Sequence, residues 1–260
     1  MSELIWKGSV RQDKYVELLK QRDRLRKVAF QLSREYIRVF GDKILEIFEK
    51  KIECIRKKKM IAYCQAAINR GEAIDQQALQ AYLALQMKEY RKQLENMLRE
   101  KEISDQMTDI SQIELLKIKR IYHKIAKLIH PDIFPRTQEE PLLMELWLRT
   151  VAAYECNDLT AITECEALVN RAVAQLGIEP TDMEIPDIEE KIKALQDEIE
   201  RIKQTDPYQY KFLLDDEDAV KEKMDSLDEE LRSYEEYDDE LETMLETIMG
   251  NGGVIAWHMN

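Results

Sequence analysis

Apolar residues recur towards both ends of this chain at alternating steps of four and three, the spacing that places side chains on one face of an α-helix. In the C-terminal third the pattern predicts two helices, separated by Thr205-Asp206-Pro207. The shorter helix has the stripe Ile188, Ile192, Leu195, Ile199 and Ile202, and the longer one has Leu227, Leu231, Tyr234, Leu241, Leu245 and Ile248, with Asp238 as a polar interruption that weakens or registers the seam. An antiparallel hairpin would leave the end of the longer helix uncovered. We therefore expect a further contact there, from the basic N-terminal helices, a second subunit or a client.

Three helices are predicted in the N-terminal part. The first covers residues 10–40 and has a mixed face. On this face an apolar residue and two cations follow one another at steps of three and four: Leu19, Arg22 and Arg26. Gly41 predicts a break, with Asp42 as the N-cap of a second helix that ends near Asn69. A third helix begins after Asp75. Because the turn between the last two is short, we expect them to pack as an antiparallel hairpin.

Composition supports an all-α fold. The 260 residues include only seven Gly and six Pro, and 35% are charged. Helices this polar bury one stripe each, which excludes a single large globular core. The predicted organisation is a basic helical hairpin or coiled-coil region (1–104), a small helical module (105–176), a linker (177–186), an acidic coiled-coil hairpin (187–250) and a tail (251–260).

Charge is divided unevenly along the chain. Residues 1–70 carry 18 basic and 9 acidic side chains, whereas residues 177–260 carry 8 basic and 26 acidic ones. Opposite signs permit the two ends to lie against each other, within one chain or between two chains of a homodimer. The sequence pI of about 4.9 disfavours a nucleic-acid protein, although the run Arg56-Lys57-Lys58-Lys59 leaves a local basic arm as an alternative.

Location is indicated by what the sequence lacks. No window approaches the roughly eighteen consecutive apolar residues that a membrane span needs, and the mean hydropathy is −0.51. The first ten residues do not have the basic and apolar regions of a secretion signal. We expect a soluble cytoplasmic protein with no membrane partner. Its cysteines are expected to be reduced thiols, because they are scattered without a Cys-x-x-Cys motif: Cys54, Cys64, Cys156 and Cys165.

A different helical unit is predicted between the two coiled-coil regions. Its first helix begins near Ile113 and carries two neighbouring stripes. The apolar stripe is Ile118, Tyr122, Ile125 and Ile129, and the basic stripe is Lys117, Arg120, Lys124 and Lys127. One face therefore suits a core, while the face beside it is strongly positive. Ordinary solvation of the four cations is the alternative interpretation.

The tripeptide His130-Pro131-Asp132 ends this helix. Proline disfavours the α conformation in the residue before it, so Pro131 forces His130 out of the helix. Pro135 stiffens the exit, and Pro141 suits the first turn of the next helix. That helix directs a set of large residues inward: Leu143, Trp147, Thr150 or Val151, and Tyr154. The pattern predicts an antiparallel helix pair with a rigid, exposed His-Pro-Asp tip.

Taken together, residues 113–165 resemble the J domain of DnaJ-type co-chaperones. The run Tyr122-His123-Lys124-Ile125-Ala126 is similar to the family's Tyr-basic-basic-Leu-Ala, and His130-Pro131-Asp132 is its signature tripeptide. Trp147, Thr150 and Ala153-Tyr154-Glu155 resemble the family's third helix. The chain departs from the family at three places: EISDQMTDIS stands where a first helix is usual, Ile133-Phe134 replaces Lys-Asn, and TAITECEALVNRAVAQL replaces a Lys/Arg-rich fourth helix.

The resemblance implies a small J-like domain, which the long helical hairpins or coiled coils predicted from periodicity would flank. It also implies a partner, a DnaK-type chaperone ATPase, whose ATP hydrolysis the tripeptide stimulates. The basic stripe would hold that partner, Asp132 would make the charged contact, and His130 and Pro131 would keep the loop in shape. The chain itself would then be no enzyme, with no catalytic residue, cofactor or metal. The coiled-coil arms would serve client binding or dimerisation.

Other interpretations stay open at this stage. The chain could be a structural or scaffolding coiled-coil protein whose J-like module has lost co-chaperone activity and only packs. His130 could then simply end a helix. A catalytic His/Asp pair is disfavoured, because the sequence has no nucleophile motif and no H-E-x-x-H zinc site. Nucleic-acid binding by residues 1–60 is disfavoured, because the basic run lacks interleaved aromatic residues.

Overall fold

The computed structural model describes residues 2–105, 110–177, 187–250 and 255–256, and confirms the all-α class. The helices of this part of the chain are α1 (Ser2–Asn69), α2 (Gln76–Gln86), α3 (Lys88–Asp105), α4 (Gln112–Ile129), α5 (Arg136–Glu139), α6 (Pro141–Glu155), α7 (Leu159–Gln175), α8 (Ile188–Gln204), α9 (Tyr210–Leu214) and α10 (Glu217–Gly250). Two short strands, β1 (Ile74–Asp75) and β2 (Ile255–Ala256), pair in parallel, with Ile74 opposite Ile255. In the described residues no helix is long and apolar enough to cross a membrane.

The chain divides into two compact units that do not follow the sequence-based boundaries. The first unit contains Met1–Arg34 and Met107–Phe212, and the second contains Glu35–Gln106 and Leu213–Asn260. The long helix α1 contributes to both. Composition changes along the chain mark the ends of helices, but they cannot show which distant segments pack together. Of the predicted linker, residues 178–186 lie outside the described residues, as does the predicted tail except for β2.

The predicted break at Gly41 is wrong, because α1 continues through it. A single glycine costs a helix about 1 kcal/mol, which packing on both sides of the position outweighs. The glycine allows a close approach: a Cβ at this position would lie 2.8 Å from Cδ of Lys101 in α3, whose side chain would have to shift. Asp42 makes no cap and instead lies 3.2 Å from Nζ of Lys101. The predicted cap at Asp75 is confirmed, since its side chain accepts hydrogen bonds from the first backbone N–H groups of α2.

In the second unit, α1 covers the apolar stripe of α10. Phe40 and Ile47 of α1 pack with Leu227 and Leu231, and Ile248 packs against a cluster that includes Cys64 and Ala67. Leu241 and Leu245 are also buried. Of the three predicted partners for this stripe, the basic N-terminal helix is the one observed.

Asp238, the polar residue within that stripe, is buried between two lysines of α1. Its carboxylate lies 3.2 Å from Nζ of Lys50 and 2.8 Å from Nζ of Lys57. Burial raises the pKa of Asp238, but hydrogen bonds from Lys57 and Lys50 outweigh that effect and lower it. A carboxylate that must meet two cations fixes one alignment of the two helices, which is the registering role predicted for this position.

The predicted acidic hairpin of residues 187–250 is wrong, because α8 belongs to the first unit and α10 to the second. The stripe of α8 packs in the first unit, where Ile192 and Leu195 join Tyr15 and Leu19 of α1 in one cluster. The basic helix α1 offers both an apolar face and opposite charge, as in the ion pair of Arg11 and Glu189 at 2.8 Å. An acidic helix is better neutralised there than against a second acidic helix.

The core of the first unit lies between α4, α6 and α7. The predicted apolar stripe of α4 is buried in it, and so are the predicted inward residues of α6: Leu143, Trp147, Thr150 and Tyr154. Helix α7 completes the core with Ile162, Cys165 and Val169, each fully buried. This three-helix arrangement positions the turn between α4 and α6, where the sequence placed the candidate site.

Candidate functional site

Helix α4 is fixed at both ends by its own sequence. At the start, the Ser111 side chain accepts from the N–H of Glu114 and the Glu114 carboxylate accepts from the N–H of Ser111, which is a capping box. At the end, His130 is extended, with φ −63° and ψ 123°, while its N–H still donates to the carbonyl of Ala126 at 3.0 Å. The predicted effect of Pro131 on the residue before it is confirmed.

The basic stripe lies on the solvent side of α4. Lys117, Arg120, Lys124 and Lys127 are all exposed. One of them has an acidic neighbour, since Nζ of Lys124 lies 2.6 Å from the carboxylate of Glu166 in α7. A shallow groove along this face is also lined by three residues that the sequence analysis did not include in the basic stripe: Leu116, Lys119 and His123. Their spacing on the helix from Arg120 and Lys124 was the signal that could have identified them.

The His-Pro-Asp loop (His130, Pro131 and Asp132) folds back on the imidazole of its own histidine. The N–H of Asp132 donates to Nδ1 of His130 at 3.1 Å, and the N–H groups of Ile133 and Phe134 donate to the His130 carbonyl at 2.9 and 2.7 Å. The other ring nitrogen, Nε2, lies 3.2 Å from Nη2 of Arg22 in α1. The imidazole also packs edge-on against Trp147, with ring centroids 4.5 Å apart.

The loop is not the exposed tip that the sequence predicted. His130 is only 2% exposed, Pro131 is buried, and the side chain of Asp132 is 37% exposed. The cover comes from α1, about a hundred residues earlier in the chain. No periodicity or turn signal near residue 130 reports on so distant a segment.

Two adjacent residues of α1 make the contact, and we call them the α1 clamp: Arg22 and Asp23. Nη1 of Arg22 donates to Oδ2 of Asp132 at 2.9 Å, while its Nε and Nη2 donate to Oδ1 of Asp23 at 3.0 and 2.8 Å. Oδ2 of Asp23 accepts from the Tyr122 hydroxyl at 2.8 Å and lies 3.6 Å from Nε2 of His130. The sequence analysis missed these roles. The available signal was that Arg22 lies on the same helix face as the apolar Leu19, because a cation buried on such a face needs acidic partners.

Electrostatics favour the charged forms of the clamp. Burial lowers the pKa of Arg22, but the attraction of Asp23 and the hydrogen bond to Asp132 raise it above its ordinary value. Burial raises the pKa of Asp23, but a hydrogen bond with His130 and the charge of Arg22 bring it below its ordinary value. The pKa of Tyr15 rises to about 12, through burial and then the charge of Asp132. The arrangement is therefore a compact set of ion pairs in which one buried guanidinium is shared by two carboxylates.

Lys27 lies beside these ion pairs and, among the described residues, is buried without a carboxylate in direct contact to offset the loss of hydration of its charge. Its Nζ stands 4.0 Å above the Tyr154 ring, which in turn stacks on Tyr122 with centroids 4.0 Å apart. Burial lowers the pKa of Lys27 to about 8, and the charge of Glu155 opposes this only in part. A lysine in this position stabilises the first unit less than an apolar side chain of similar volume would.

Replacing Lys27 with methionine is expected to stabilise the first unit by about 1 kcal/mol at pH 7. The folded pKa of about 8 lies below the ordinary 10.5, so between these values the unfolded chain binds a proton that the folded chain lacks. Wild-type stability therefore rises with pH across that window, and the advantage of methionine shrinks. Urea unfolding at pH 7 and at about pH 9.5 checks this, with the exposed Lys14→Met as control. An equal gain in stability from Lys27→Met at both pH values, or no gain at pH 7, would contradict it.

The chemistry that the cavity at the loop offers is ion pairing and hydrogen bonding. It is lined by the clamp, the loop, Arg26, Tyr122, Trp147, Val151, Tyr154 and Glu155, a set without a serine, threonine or cysteine nucleophile. Within the described residues, no group of His, Cys, Asp and Glu is placed to hold a metal ion. The polar groups of the cavity hold the loop and its neighbours in one arrangement.

Comparison with known proteins adds no relative to this description. A scan against protein-family models, a search of curated proteins and a search of solved structures each found no match. The interpretation of the site rests on its residues and their geometry.

Proposed function

We propose that the chain is a cytoplasmic J-domain co-chaperone that recruits a DnaK-type chaperone ATPase and stimulates its ATP hydrolysis. The observation that carries the proposal is the pairing of two features on one helix. Helix α4 exposes four cations along one face, and it ends directly in a His-Pro-Asp loop whose shape is fixed by hydrogen bonds to His130. Both features belong to the segment that resembles a J domain.

The basic stripe would supply recruitment. Four exposed cations at helical spacing attract a negatively charged surface from a distance and hold it with contacts that salt weakens. Such contacts contribute more to the association rate and to specificity than to final affinity. The predicted signature is binding to the chaperone that falls steeply as ionic strength rises.

The loop would supply stimulation. Asp132 is the charged group that meets the partner, and His130 positions it by accepting the hydrogen bond of its backbone N–H. Pro131 keeps the chain out of the helix at this point. No bond is made or broken on this chain, since the hydrolysis takes place in the partner. The second unit would bind clients or a second copy, and it leaves Leu85, Leu98 and Met244 exposed for such contacts.

The ATPase rate of a DnaK-type chaperone tests the proposal. At low salt the full-length protein is expected to raise the steady-state rate, and His130→Gln is expected to abolish the increase while leaving the far-UV circular dichroism unchanged. Reversing two stripe charges, Arg120→Glu with Lys127→Glu, should weaken stimulation about tenfold or more. The matched control reverses two exposed cations of α3, Lys92→Glu with Arg99→Glu, and should behave as wild type. The proposal would be contradicted if neither the wild type nor Arg22→Gln stimulated the chaperone.

A second candidate function is favoured by one observation. Asp132 is already paired with Arg22 and His130 is buried, as expected of a J-like module that has lost its activity and serves for packing in a scaffolding protein. In that case neither His130→Gln nor the stripe reversals would change any property of a chaperone partner. The same ATPase measurement therefore separates the two candidates.

A further inference from the structure

We propose that the α1 clamp is a built-in inhibitor: Arg22 occupies the carboxylate of Asp132, and the co-chaperone is latent until the clamp is displaced. This inference rests on the proposed function, because it assigns a regulatory role to a contact at the same loop. It concerns Arg22 and Asp23, which lie outside the segment that resembles a J domain.

The guanidinium of Arg22 is held in place for this contact. Two of its nitrogens are taken by Asp23, its neighbour in α1, and the third meets Oδ2 of Asp132 at 2.9 Å. Its side chain is only 9% exposed, so solvent screens the ion pair weakly. A fixed arginine loses little conformational entropy on binding a carboxylate, which makes it a strong competitor for any cation that arrives from outside.

Contacts on either side of Arg22 brace this part of α1 against the loop. Tyr15 and Leu19 lie in one cluster with Ile133, the residue after Asp132. The same cluster includes Ile192 and Leu195 of α8, so α8 packs on this part of α1 as well. Three ion pairs join the same helices: Arg11 with Glu189, Arg26 with Glu198, and Arg22 itself with Glu198 at 4.0 Å. The clamp is thus the centre of a packed interface within the first unit.

The clamp affects only one of the two features that the proposed function needs. The basic stripe is exposed, whereas the acidic group that must meet the partner is already paired with Arg22. A partner that docks on α4 would still have to displace Arg22 before it reached Asp132. Only molecules in which the clamp is open would stimulate the partner. The observed stimulation is therefore scaled down to that small open fraction.

The test replaces Arg22 with glutamine in the full-length protein. Chaperone ATPase stimulation at a fixed, sub-saturating concentration is expected to rise roughly tenfold, because the open fraction rises. Arg24→Gln is the matched control, since it removes an exposed arginine from the same helix and should match wild type. Adding His130→Gln to Arg22→Gln should remove the gain, which would tie it to the loop. Amide hydrogen exchange at Asp132, Ile133 and Phe134 should become faster in Arg22→Gln.

Two failures are distinguishable. If wild type stimulates and Arg22→Gln stimulates equally or less, Arg22 only organises the loop and the inference is overturned. If neither protein stimulates at low salt, the proposed function itself fails. Should Arg22→Gln fold poorly, Arg22→Lys keeps the charge but not the fork of three donors, and it should give an intermediate gain. Stimulation by Arg22→Lys at or below that of wild type would again overturn the inference.

Discussion

Replacing Trp147 with alanine is expected to destabilise the first unit by roughly 3–5 kcal/mol, more than any other single truncation in its core. Trp147 is 7% exposed, and its indole contacts both Tyr122 of α4 and His130 of the His-Pro-Asp loop. Its ring centroid stands 5.8 Å from that of Tyr122 and 4.5 Å from that of His130. Alanine would leave a cavity beneath the His-Pro-Asp loop and remove the aromatic contact that seats the imidazole. Urea unfolding followed by far-UV circular dichroism measures the loss.

Leu148 provides the control for this change. It is the next residue in α6 but points outward, with 57% of its surface exposed, so Leu148→Ala should change stability by less than about 0.5 kcal/mol. Trp147→Phe keeps an aromatic ring and should lose about half as much as Trp147→Ala. Similar small losses for Trp147→Ala and Leu148→Ala would show that the core of the first unit is not centred on this residue.

Most helices could be predicted because their apolar residues follow a strong local period. The stripes of α4, α8 and α10 were identified residue by residue, and most of their residues are buried as expected, with four half-buried: Ile188, Ile202, Tyr234 and Ile248. Local signals also placed the cap at Asp75, the start of α4 near Ile113 and its end at His130 within about a turn. The break expected at Gly41 failed because a local helix penalty was weighed without the packing of Lys101, which lies sixty residues later. Long-range packing outweighs a single unfavourable residue.

Which helices pair could not be predicted in the same way. The stripes of α8 and α10 have similar period and similar acidic flanks, so each suited the other as well as it suited α1. A helix of 68 residues was not expected, because the predicted break divided it in two. Once α1 is continuous, it is long enough to offer separate apolar stretches at Tyr15 and Leu19 and again at Phe40 and Ile47. The pairing of remote segments is a property of the whole chain.

The candidate site also has a part that the sequence could predict and a part that it could not. Its α4 face and its loop were predicted, because basic and apolar stripes and a proline turn are local features. The burial of the loop was not, because it depends on Arg22 and Asp23. Within a single sequence, an Arg-Asp pair on a helix is indistinguishable from an ordinary solvated pair. Only the spacing of Arg22 from Leu19, on the apolar side of α1, indicated that the arginine would be buried.

Asp23 carries the second large effect that we expect. Replacing it with alanine would leave the Arg22 guanidinium and the Tyr122 hydroxyl without their shared acceptor. Removing one partner of a buried ion pair costs about 3–5 kcal/mol, since the remaining charge stays buried. Arg22 keeps Asp132 as a partner, at 2.9 Å, which places the expected loss near the lower limit, about 3 kcal/mol. Asp13→Ala, at an exposed acid of the same helix, should cost little.

The pH dependence of stability distinguishes the charge of Asp23 from its packing. The folded pKa of Asp23 lies below its ordinary 3.8, so the charged form contributes stability above that value and the contribution is lost as the pH falls through the folded pKa. Wild type should therefore lose stability below about pH 4 more steeply than Asp23→Ala, and the two unfolding curves should converge in acid. Parallel curves down to low pH would mean that Asp23 acts through shape alone. Convergence would show that an ion pair, and not simple packing, holds α1 against the His-Pro-Asp loop.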